Sequence, residues 1–557
     1  MPSASKPQNG PSILERLPGN LPRAHIPPST DVASAATEIL QSFPQLEKYH
    51  FAADSIWRDT YALTGTIRTF YFDESVAAEW NLLSNSHGLS RASIVPGSAK
   101  VISPGDGIAW VDCTFTFESS TPATKCSGIL SLVPSPDGSW KIWVLRTILE
   151  QLTGHPNVDA LKPSTGLLNH SVDNHDAPHH ASNGINGHEQ TSNGTNGVHD
   201  NHHFGAVIIG GGQSGLSTGG RLQALGVSYV IIEKNAQVGD AWKMRYESAR
   251  SHLPFDRTFG SEYSEYIGKD NLAKGHRQWA NKYGIEAFKG ELLHSVHYST
   301  AHKWAGKSGI VVGTANTGHD VADDMYEAGM KVTMVQRSRT FVLPAEFIKE
   351  RYDIIYNDKI PTEISDRAMF SHPVSIARQL SSKAFHAMAR AQPERYEALE
   401  RAGFKVDPFG DIQDAINIRL GGHYIDVGTS AKIGKKLINV KSDAIAERYT
   451  ENGLMFSDGT EIKADVIVLA TGFVGNLRQH VENIFGSTVA KKAGDCFGLN
   501  NEGEVLGAFK PLQQPGLWYL GGALGHARYY SRFIALSIKA DVIGDPLPVY
   551  RDHVFEA

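Results

Sequence analysis

The residues with the clearest chemical spacing are three glycines that directly follow a short apolar run. The run is Ala206–Ile209, and the glycines are Gly210, Gly212 and Gly215. In a strand–turn–helix unit the first glycine makes a tight turn, the second lets a pyrophosphate approach the backbone, and the third lets helix and strand pack closely. The N-terminus of the helix then faces the phosphates. This spacing predicts a dinucleotide site.

A carboxylate stands where such a site needs one. A second apolar run, Tyr229–Ile232, ends in Glu233, whose side chain can accept hydrogen bonds from ribose hydroxyls. The alternative is a glycine-rich turn in an ordinary α/β protein. The strand before the glycines, the helix after them and the acid at the end of the next strand favour the dinucleotide site.

The stretch GKSGIVVGTANTGHDVADDMYEAGMKVTMVQRSRT, residues 306–340, repeats this architecture. A strand over Gly309–Val312 leads into a loop, a helix follows, and a second strand covers Lys331–Val335. The predicted cofactor-binding residues of this second motif are Gly313, Thr314, Asn316, Gly318 and Arg337. Ala315 takes the place of the middle glycine, and its methyl group crowds the approach of the pyrophosphate.

The second strand of the repeat ends in arginines, not in a carboxylate. Arg337 and Arg339 can bind a 2′-phosphate, which a carboxylate would repel. The motif therefore predicts NADPH in preference to NADH. Two surface arginines in a loop are the alternative.

Downstream of the first motif the chain has the pattern G-x-x-W-x-x-R-Y, formed by Gly239, Trp242, Arg245 and Tyr246. Here the sequence resembles the class B flavin-dependent monooxygenases, the FMO/YUCCA-like group. The resemblance implies that the first motif binds FAD, that this segment packs beside the flavin, and that the second motif binds NADPH. A buried tryptophan with a surface arginine is the alternative for this pattern alone.

The resemblance extends over about 204–557. The apolar run 465–469 leads into A-T-G-F, which contains Gly472 and in this family returns the chain to the flavin domain. The stretch 515–540 looks like the family's closing segment, whose glycines approach the flavin. GGHYIDVG, residues 421–428, is similar to a segment of fungal and bacterial members.

The resemblance also implies a reaction. In the family NADPH reduces FAD, O2 adds to give a C4a-(hydro)peroxyflavin, and one oxygen atom passes to a small organic substrate. No separate catalytic acid or base is expected, so no catalytic residue is assigned, and the sequence contains no metal-binding cluster.

One family pattern comes unexpectedly early. Phe288, Gly290, His294 and Tyr298 have the spacing F-x-G-x-x-x-H-x-x-x-Y. Family members carry several short strands and a first A-T-G strand before it, which indicates that this flavin domain is truncated near 285–288. Three alternatives stay open: a longer natural protein from which an exon has been lost, a chain that binds FAD poorly, and compensating packing elsewhere.

The predicted fold class is α/β, with two Rossmann-like dinucleotide-binding domains preceded by an α+β domain similar to the NTF2/SnoaL-like cone. Asp54 and Asp59 lie in the segment that carries this looser similarity, and the nearest histidines are His50 and His87. A structural or dimer-forming module is favoured over a catalytic one. The predicted domains are a disordered tail (1–34), the cone (35–160), a disordered His/Asn/Gly-rich linker (161–203), the FAD-binding domain (204–300 and 463–557) and the NADPH-binding domain with inserted helices (301–462).

Composition limits the partners. The 557 residues carry a formal net charge of −6 and no basic block, which disfavours nucleic acid and acidic membrane surfaces. Three cysteines without a CxxC pattern suit a reducing compartment. Neither a signal peptide nor an apolar run long enough to span a membrane is present, so a cytoplasmic location is expected.

The leading hypothesis is therefore an FAD- and NADPH-dependent monooxygenase acting on a small molecule and O2, plausible in specialised metabolism. A catalytically impaired relative that binds a small molecule or a partner through the cone is one alternative. An uncoupled NADPH oxidase or reductase is another. Flavin content separates the first alternative from the rest, and incorporation of oxygen into product separates an oxygenase from an oxidase.

Overall fold

The structure is a computed structural model that describes residues 11–160, 203–235, 288–472 and 476–551. These residues form two compact units. Of the described residues, the first unit takes 11–160, 203–235, 363–376 and 488–551, and the second takes 288–362, 377–472 and 476–487. Almost all of the predicted linker, 161–203, lies outside the described residues.

Seven strands of the first unit form one sheet, the N-terminal sheet. They are β1 (Phe51–Thr60), β2 (Ile67–Tyr71), β3 (Ser93–Ile94), β4 (Lys100–Gly105), β5 (Ile108–Ser120), β6 (Ala123–Pro134) and β7 (Trp140–Leu152). The order is β2-β1-β7-β6-β5-β3, and β4 also pairs with β5. All neighbours are antiparallel except β1 and β7, which are parallel.

Residues 126–135 and 139–149 flank Pro136-Asp137-Gly138, a turn signal that predicts a hairpin, and the structure contains this hairpin. Strands β6 and β7 pair from Pro134 opposite Trp140 onward. Asp137 closes the turn because its carboxylate accepts a 2.9 Å hydrogen bond from the Ser139 amide, and Gly138 has a φ of +85°. Proline, aspartate and glycine therefore each perform the turn role that their chemistry predicts.

Three helices accompany the N-terminal sheet: α1 (Ile13–Arg16), α2 (Val32–Gln41) and α3 (Asp73–His87). The spacing of the apolar residues in DVASAATEILQSF, residues 31–43, predicts a helix, and α2 with its N-cap Asp31 confirms it. Aromatic rings fill the core of this part of the unit. The ring centroid of Trp80 on α3 lies 5.2 Å from that of Trp57 on β1 and 5.3 Å from that of Phe43.

The first glycine motif forms a small strand–helix–strand element in the same unit. Strands β8 (Ala206–Ile209) and β9 (Tyr229–Ile232) have the predicted bounds and pair in parallel. The helix between them is α4 (Gln213–Ala224). A methyl group on Gly219 would come within 2.8 Å of the Tyr229 ring, so this glycine allows α4 to lie close against β9.

One face of the β8–β9 pair is open to solvent. Val207, Ile209 and Ile232 project to this face and are 57%, 53% and 55% exposed. Parallel strands are ordinarily covered on both faces, and a two-stranded sheet alone is marginally stable. Among the described residues this face lacks the cover that such an apolar surface requires.

The remaining strands are β10 (Glu291–His294), β11 (Ser308–Val312), β12 (Lys331–Val335), β13 (Thr340–Pro344), β14 (Val406–Asp407), β15 (His423–Asp426), β16 (Asn439–Lys441), β17 (Ala446–Tyr449), β18 (Gly453–Phe456), β19 (Glu461–Lys463) and β20 (Val466–Leu469). The remaining helices are α5 (Asn316–Glu327), α6 (Ala345–Ile355), α7 (Thr362–Phe370), α8 (Val374–Ala391), α9 (Pro393–Arg401), α10 (Ile412–Asn417), α11 (Thr429–Gly434), α12 (Leu477–Phe485), α13 (Ser487–Ala493) and α14 (Leu524–Val542).

The second unit is built on a five-stranded parallel sheet in the order β10-β20-β11-β12-β16. One face packs on α5, with Val321 and Met325 against Val311. The other face is covered by the antiparallel strands β17–β19, which bring Leu454 and Phe456 onto Ile467. This sheet therefore has apolar cover on both faces, unlike the β8–β9 pair.

The placement of β10 and β20 differs from the predicted domain boundaries. Residues 291–294 and 466–469 had been assigned to the FAD-binding domain, but both strands pair within the sheet of the second unit. The reason is backbone pairing: β20 lies between β10 and β11 and is hydrogen-bonded in parallel to both. The closing part of the first unit instead comes from residues 488–551, including α13 and α14.

Searched over the described residues, the helices include none that is both long enough and apolar enough to cross a lipid bilayer.

Candidate dinucleotide-binding site

The loop of the first motif leaves space for a ligand at its middle glycine. Gly210 has a φ of +105°, which favours glycine. A methyl group on Gly215 would lie 2.0 Å from the Gly210 carbonyl oxygen, so only glycine lets helix and loop approach this closely. A methyl group on Gly212 would meet no heavy atom within 4 Å. The geometry thus fits the predicted approach of a pyrophosphate to Gly212.

Glu233 holds the same loop from the end of β9. Its carboxylate oxygens accept hydrogen bonds from the amides of Gly211, at 2.6 Å, and Asn235, at 2.9 Å. The bond from Asn235 and then that from Gly211 lower the pKa of Glu233, so the group is a carboxylate at neutral pH. Each carboxylate oxygen can accept a further hydrogen bond, which leaves the predicted contact with ribose hydroxyls open.

The second motif has nearly the same loop geometry. Gly313 has a φ of +120°, and a methyl group on Gly318 would lie 2.1 Å from the Gly313 carbonyl oxygen. Strand β20 also approaches this loop, because a methyl group on Gly313 would lie 2.2 Å from the Ala470 carbonyl oxygen. Packing alone therefore requires glycine at both Gly313 and Gly318.

The two motifs start their helices in the same way. The N-cap residues Gly212 and Ala315 have φ/ψ of −78°/−174° and −87°/−173°, and each begins a helix of 12 residues. No side chain caps either helix, so the first amides of each are available to an anion. Because the backbone at Ala315 is extended, the methyl group there causes no strain.

Two predicted residues of the second motif use their side chains within the protein. The Thr314 hydroxyl lies 2.7 Å from that of Thr340 on β13. The Asn316 side-chain oxygen accepts a 2.7 Å hydrogen bond from the Ile425 amide of β15. These side chains hold the loop against neighbouring strands, and the backbone amides are the groups left for a cofactor.

The structure distinguishes the two arginines after β12. The Arg339 guanidinium contacts Glu400 and the Val406 carbonyl oxygen. Arg337 is exposed, and the described residues include no ion-pair partner for it. Arg337 is therefore the better placed of the two to receive a phosphate.

Gly472 follows the end of β20, next to the loop of the second motif. The Ala470 amide donates a 2.8 Å hydrogen bond to the Val312 carbonyl oxygen, and Gly472 has a φ of +84°. The A-T-G segment therefore belongs with the predicted NADPH motif within the second unit, and its expected role in returning the chain to the flavin domain stays a prediction.

The early F-x-G-x-x-x-H-x-x-x-Y pattern packs as part of the second unit. A methyl group on Gly290 would lie 2.4 Å from both the Asp465 carbonyl oxygen and the Phe288 ring. The buried Tyr298 donates a 2.5 Å hydrogen bond to Asp324 on α5. The pattern thus joins β10 to the sheet and holds the C-terminal half of α5 through Asp324.

A buried histidine that the sequence did not single out supports the second motif. His319 on α5 stacks on Tyr424 at a centroid distance of 3.6 Å, and its Nδ1 lies 3.1 Å from the Ala315 carbonyl oxygen. Burial lowers the pKa of His319 to about 4, so the ring is neutral at pH 7. Its position directly after Gly318, on the inward face of a predicted helix, was the available signal.

A comparable contact supports the first motif. The Gln213 side-chain amide donates a 2.6 Å hydrogen bond to the Gly522 carbonyl oxygen, which joins the start of α4 to the segment before α14. Gly522 falls in the stretch that the sequence identified as the closing segment. Gln213, between the motif's glycines, gave no signal of its own.

The predicted residues Gly239, Trp242 and Arg245 lie outside the described residues, as does most of the expected truncation point at 285–288. Within the parts that are described, no group of three or more His, Cys, Asp or Glu side chains is arranged to hold a metal ion.

Comparisons with known proteins agree with this chemistry. Residues 274–486 match the flavin-binding monooxygenase-like family. The indole-3-pyruvate monooxygenase YUCCA4 of Oryza sativa subsp. japonica is 23% identical over 348 residues, covering 49% of this chain and 75% of the relative. The FAD-containing monooxygenase EthA of Mycolicibacterium smegmatis is 24% identical over 351 residues, covering 48% of this chain and 69% of the relative.

Similar solved structures include a flavin-containing monooxygenase from Stenotrophomonas maltophilia, with a TM-score of 0.31 and 18% identity, covering 60% of this chain and 98% of the other. A cyclohexanone monooxygenase from Rhodococcus sp. Phi1 bound to NADP⁺ has a TM-score of 0.29 and 16% identity, covering 48% of this chain and 70% of the other.

The family match includes the second dinucleotide motif and begins after the first. Over residues 274–486 this chain is similar to flavin-binding monooxygenase-like proteins, and the sequence relatives are themselves flavin-type monooxygenases by name.

Proposed function

We propose that this protein is an FAD- and NADPH-dependent monooxygenase that transfers one atom of O2 to a small organic molecule. The observation that carries the proposal is the pair of glycine loops with matching geometry. Each loop offers open helix amides to a pyrophosphate, Gly212 in the first unit and Ala315 in the second. Two dinucleotides in one chain suit electron transfer from nicotinamide to flavin.

The residues of this chain would bind and orient the cofactors. The Gly210–Gly215 loop and Glu233 would hold FAD, and the Gly313–Gly318 loop with Arg337 would hold NADPH. Bound flavin supplies the redox and oxygen chemistry, so the protein has to position the cofactors and exclude water. The substrate is proposed only as a small organic molecule, and the place of action as the cytoplasm.

A second candidate is a catalytically impaired relative, and it is favoured by the face of the β8–β9 pair that lacks cover among residues 11–160, 203–235, 288–472 and 476–551. In the second unit the corresponding sheet has a three-stranded antiparallel cover, whereas Val207, Ile209 and Ile232 are more than half exposed. The alignment with the YUCCA4 relative has 348 positions but covers only 49% of the 557-residue chain, which is fewer residues than positions. The difference corresponds to gaps in this chain, and this supports the interpretation that residues are missing.

Flavin content decides between the two candidates. We expect the purified chain to show the visible band of oxidised flavin, near one FAD per chain after reconstitution. A folded protein that stays colourless with excess FAD would reject the monooxygenase proposal and support the impaired relative. Oxygen-18 incorporation into product then separates a monooxygenase from an uncoupled oxidase.

Two glycine variants test the assigned FAD loop. Gly212→Ala should leave the apoprotein's thermal midpoint unchanged, because the methyl group enters open space, but it should weaken FAD binding, because the methyl group crowds the pyrophosphate. Gly215→Ala should instead lower the thermal midpoint, because its methyl group would overlap the Gly210 carbonyl. A Gly212→Ala protein with unaltered FAD affinity would show that the pyrophosphate does not bind here.

A further inference from the structure

Residues 35–160 contain the N-terminal sheet and are called the N-terminal sheet domain from here on. This domain carries carboxylates that contact arginines on α4 and on neighbouring helices of the first unit. Asp159 follows β7, and Arg221 lies on α4, about 12 Å along the helix from its N-terminus at 1.5 Å per residue. The Arg221 guanidinium contacts the Asp159 carboxylate. It also donates to Ser531, at 2.9 Å, and to the Arg528 carbonyl oxygen, at 2.7 Å, both on α14.

The same carboxylate binds a second arginine. Arg532 on α14 donates to both oxygens of Asp159 at 2.9–3.1 Å, and to the Glu150 carboxylate of β7 at 2.9 Å. Glu150 is bound in turn by Arg367 on α7, whose Nε lies 2.6 Å away. We call the five side chains the arginine–carboxylate network: Glu150, Asp159, Arg221, Arg367 and Arg532.

The arginine–carboxylate network is largely withdrawn from water. The side chain of Arg532 is 5% exposed, and the other four are 16–24% exposed. A buried charge is tolerated only when it is paired and hydrogen-bonded. Three arginines from α4, α7 and α14 therefore depend on two carboxylates that the N-terminal sheet domain supplies.

Asp59 and His87, the candidates for a catalytic pair in this domain, make hydrogen bonds within the domain. Asp59 is fully buried and accepts hydrogen bonds from Thr64, Thr147 and the Leu63 amide. His87 Nδ1 lies 2.8 Å from the carbonyl oxygen of Leu83, within its own helix. Among the described residues, Asp59 and His87 do not hydrogen-bond to each other.

We propose that the N-terminal sheet domain positions the flavin-binding helix, and that Asp159 is the positioning residue that does so through Arg221 and Arg532. The carboxylate fixes α4 against α14, and the Gln213–Gly522 bond fixes the other end of the same helix beside the loop. A phosphate-binding loop needs placement to a fraction of an ångström, so a helix held at both ends preorganises it. This inference rests on the proposed binding of FAD at the first motif.

The test uses the full chain with Asp159→Asn, which keeps the shape and removes the charge. Asp137→Asn is the matched control, because Asp137 lies in a turn of the same domain and its carboxylate bonds to Ser139 and Ser135 of that turn. Apoprotein is titrated with FAD at a temperature where every variant is folded. We expect Asp159→Asn to raise the Kd for FAD about tenfold, Asp137→Asn to leave it unchanged, and Asp159→Glu to recover part of the loss.

Amide hydrogen exchange of the apoprotein gives a second readout that needs no FAD. Asp159→Asn should speed exchange in residues 213–224 and leave β6 unchanged. A lower thermal midpoint with unaltered FAD affinity and unaltered exchange in α4 would overturn the positioning role. If the wild-type chain binds no FAD, the proposed function fails, and the exchange of α4 alone decides whether Asp159 positions this helix.

Discussion

Two neighbouring glutamates on one loop offer a direct measure of how much burial increases the free-energy cost of breaking an ion pair. Glu504 binds Arg58 through two hydrogen bonds of 2.6 and 2.9 Å and accepts a third, of 2.6 Å, from Thr69. The side chains of Glu504 and Arg58 are 7% and 5% exposed. Burial alone would raise the pKa of Glu504, but the Arg58 charge and the hydrogen bonds outweigh it and hold the pKa below its ordinary value.

Glu502 makes a similar pair closer to the surface. It binds Arg68 at 2.8 and 3.0 Å, with the two side chains 22% and 13% exposed. Both glutamates join residues 502–504 to strands β1 and β2 of the N-terminal sheet. Their substitution by glutamine is therefore the same chemical change at two degrees of burial.

We expect Glu504→Gln to destabilise the first unit by about 3 kcal/mol, because a buried guanidinium is left without its counterion. Glu502→Gln should cost less, about 1–2 kcal/mol, because Glu502 is 22% exposed and water can reach this pair from its side. For a unit of this size the first loss corresponds to a fall on the order of 10 °C in the thermal midpoint. Differential scanning calorimetry of the two variants beside the wild type measures both.

A double substitution supplies the control. Arg58→Met with Glu504→Leu removes both charges, so it should be markedly more stable than Glu504→Gln alone. Equal losses for the two glutamine variants, or a double variant no better than the single one, would refute the argument that the stranded buried charge causes the loss.

The other predictions concern NADPH selection and pH. Arg337→Ala should weaken binding of 2′,5′-ADP by about tenfold while leaving 5′-AMP binding unchanged. Arg339→Ala should alter neither affinity, because the Arg339 guanidinium already contacts Glu400. Identical behaviour of the two variants in calorimetric titration would remove the role of Arg337. Burial, and then the charge of Arg146, lowers the pKa of His372 to about 3, so its unfolded form takes up a proton that the folded form does not. The free energy of unfolding should therefore fall as the pH drops from about 6.5 toward 3, by about 2 kcal/mol at pH 5 from this histidine alone. His372→Gln should show a smaller loss between pH 7.5 and 5 in urea unfolding, and an equal loss would contradict the assignment.

Local patterns in the sequence predicted the local structure well. The bounds of β8, β9 and β12 match the predicted strands, because apolar runs beside a glycine loop have few alternative conformations. The turn at Asp137 and the helix at Asp31 were likewise set by neighbouring residues. The loop geometry around Gly210 and Gly313 also followed from spacing alone.

Contacts between distant parts of the chain were not predictable in this way. Nothing in the sequence pairs Arg58 with Glu504, because the two lie 446 residues apart and charged residues ordinarily indicate a solvated surface. Strand β20 was expected in the FAD-binding domain but pairs in the sheet of the second unit, since its apolar run fits any parallel sheet. The identity of its neighbours depends on the whole topology.

The first unit takes its residues from widely separated parts of the chain, and this has a consequence for synthesis. Arg58 on strand β1 would emerge from the ribosome 446 residues before its partner Glu504. Until residues 488–551 had followed, Arg58 would lack Glu504, and Glu150 and Asp159 would lack Arg532. A non-local unit of this kind folds slowly, so the nascent chain should need chaperone protection until residues 488–551 have been made.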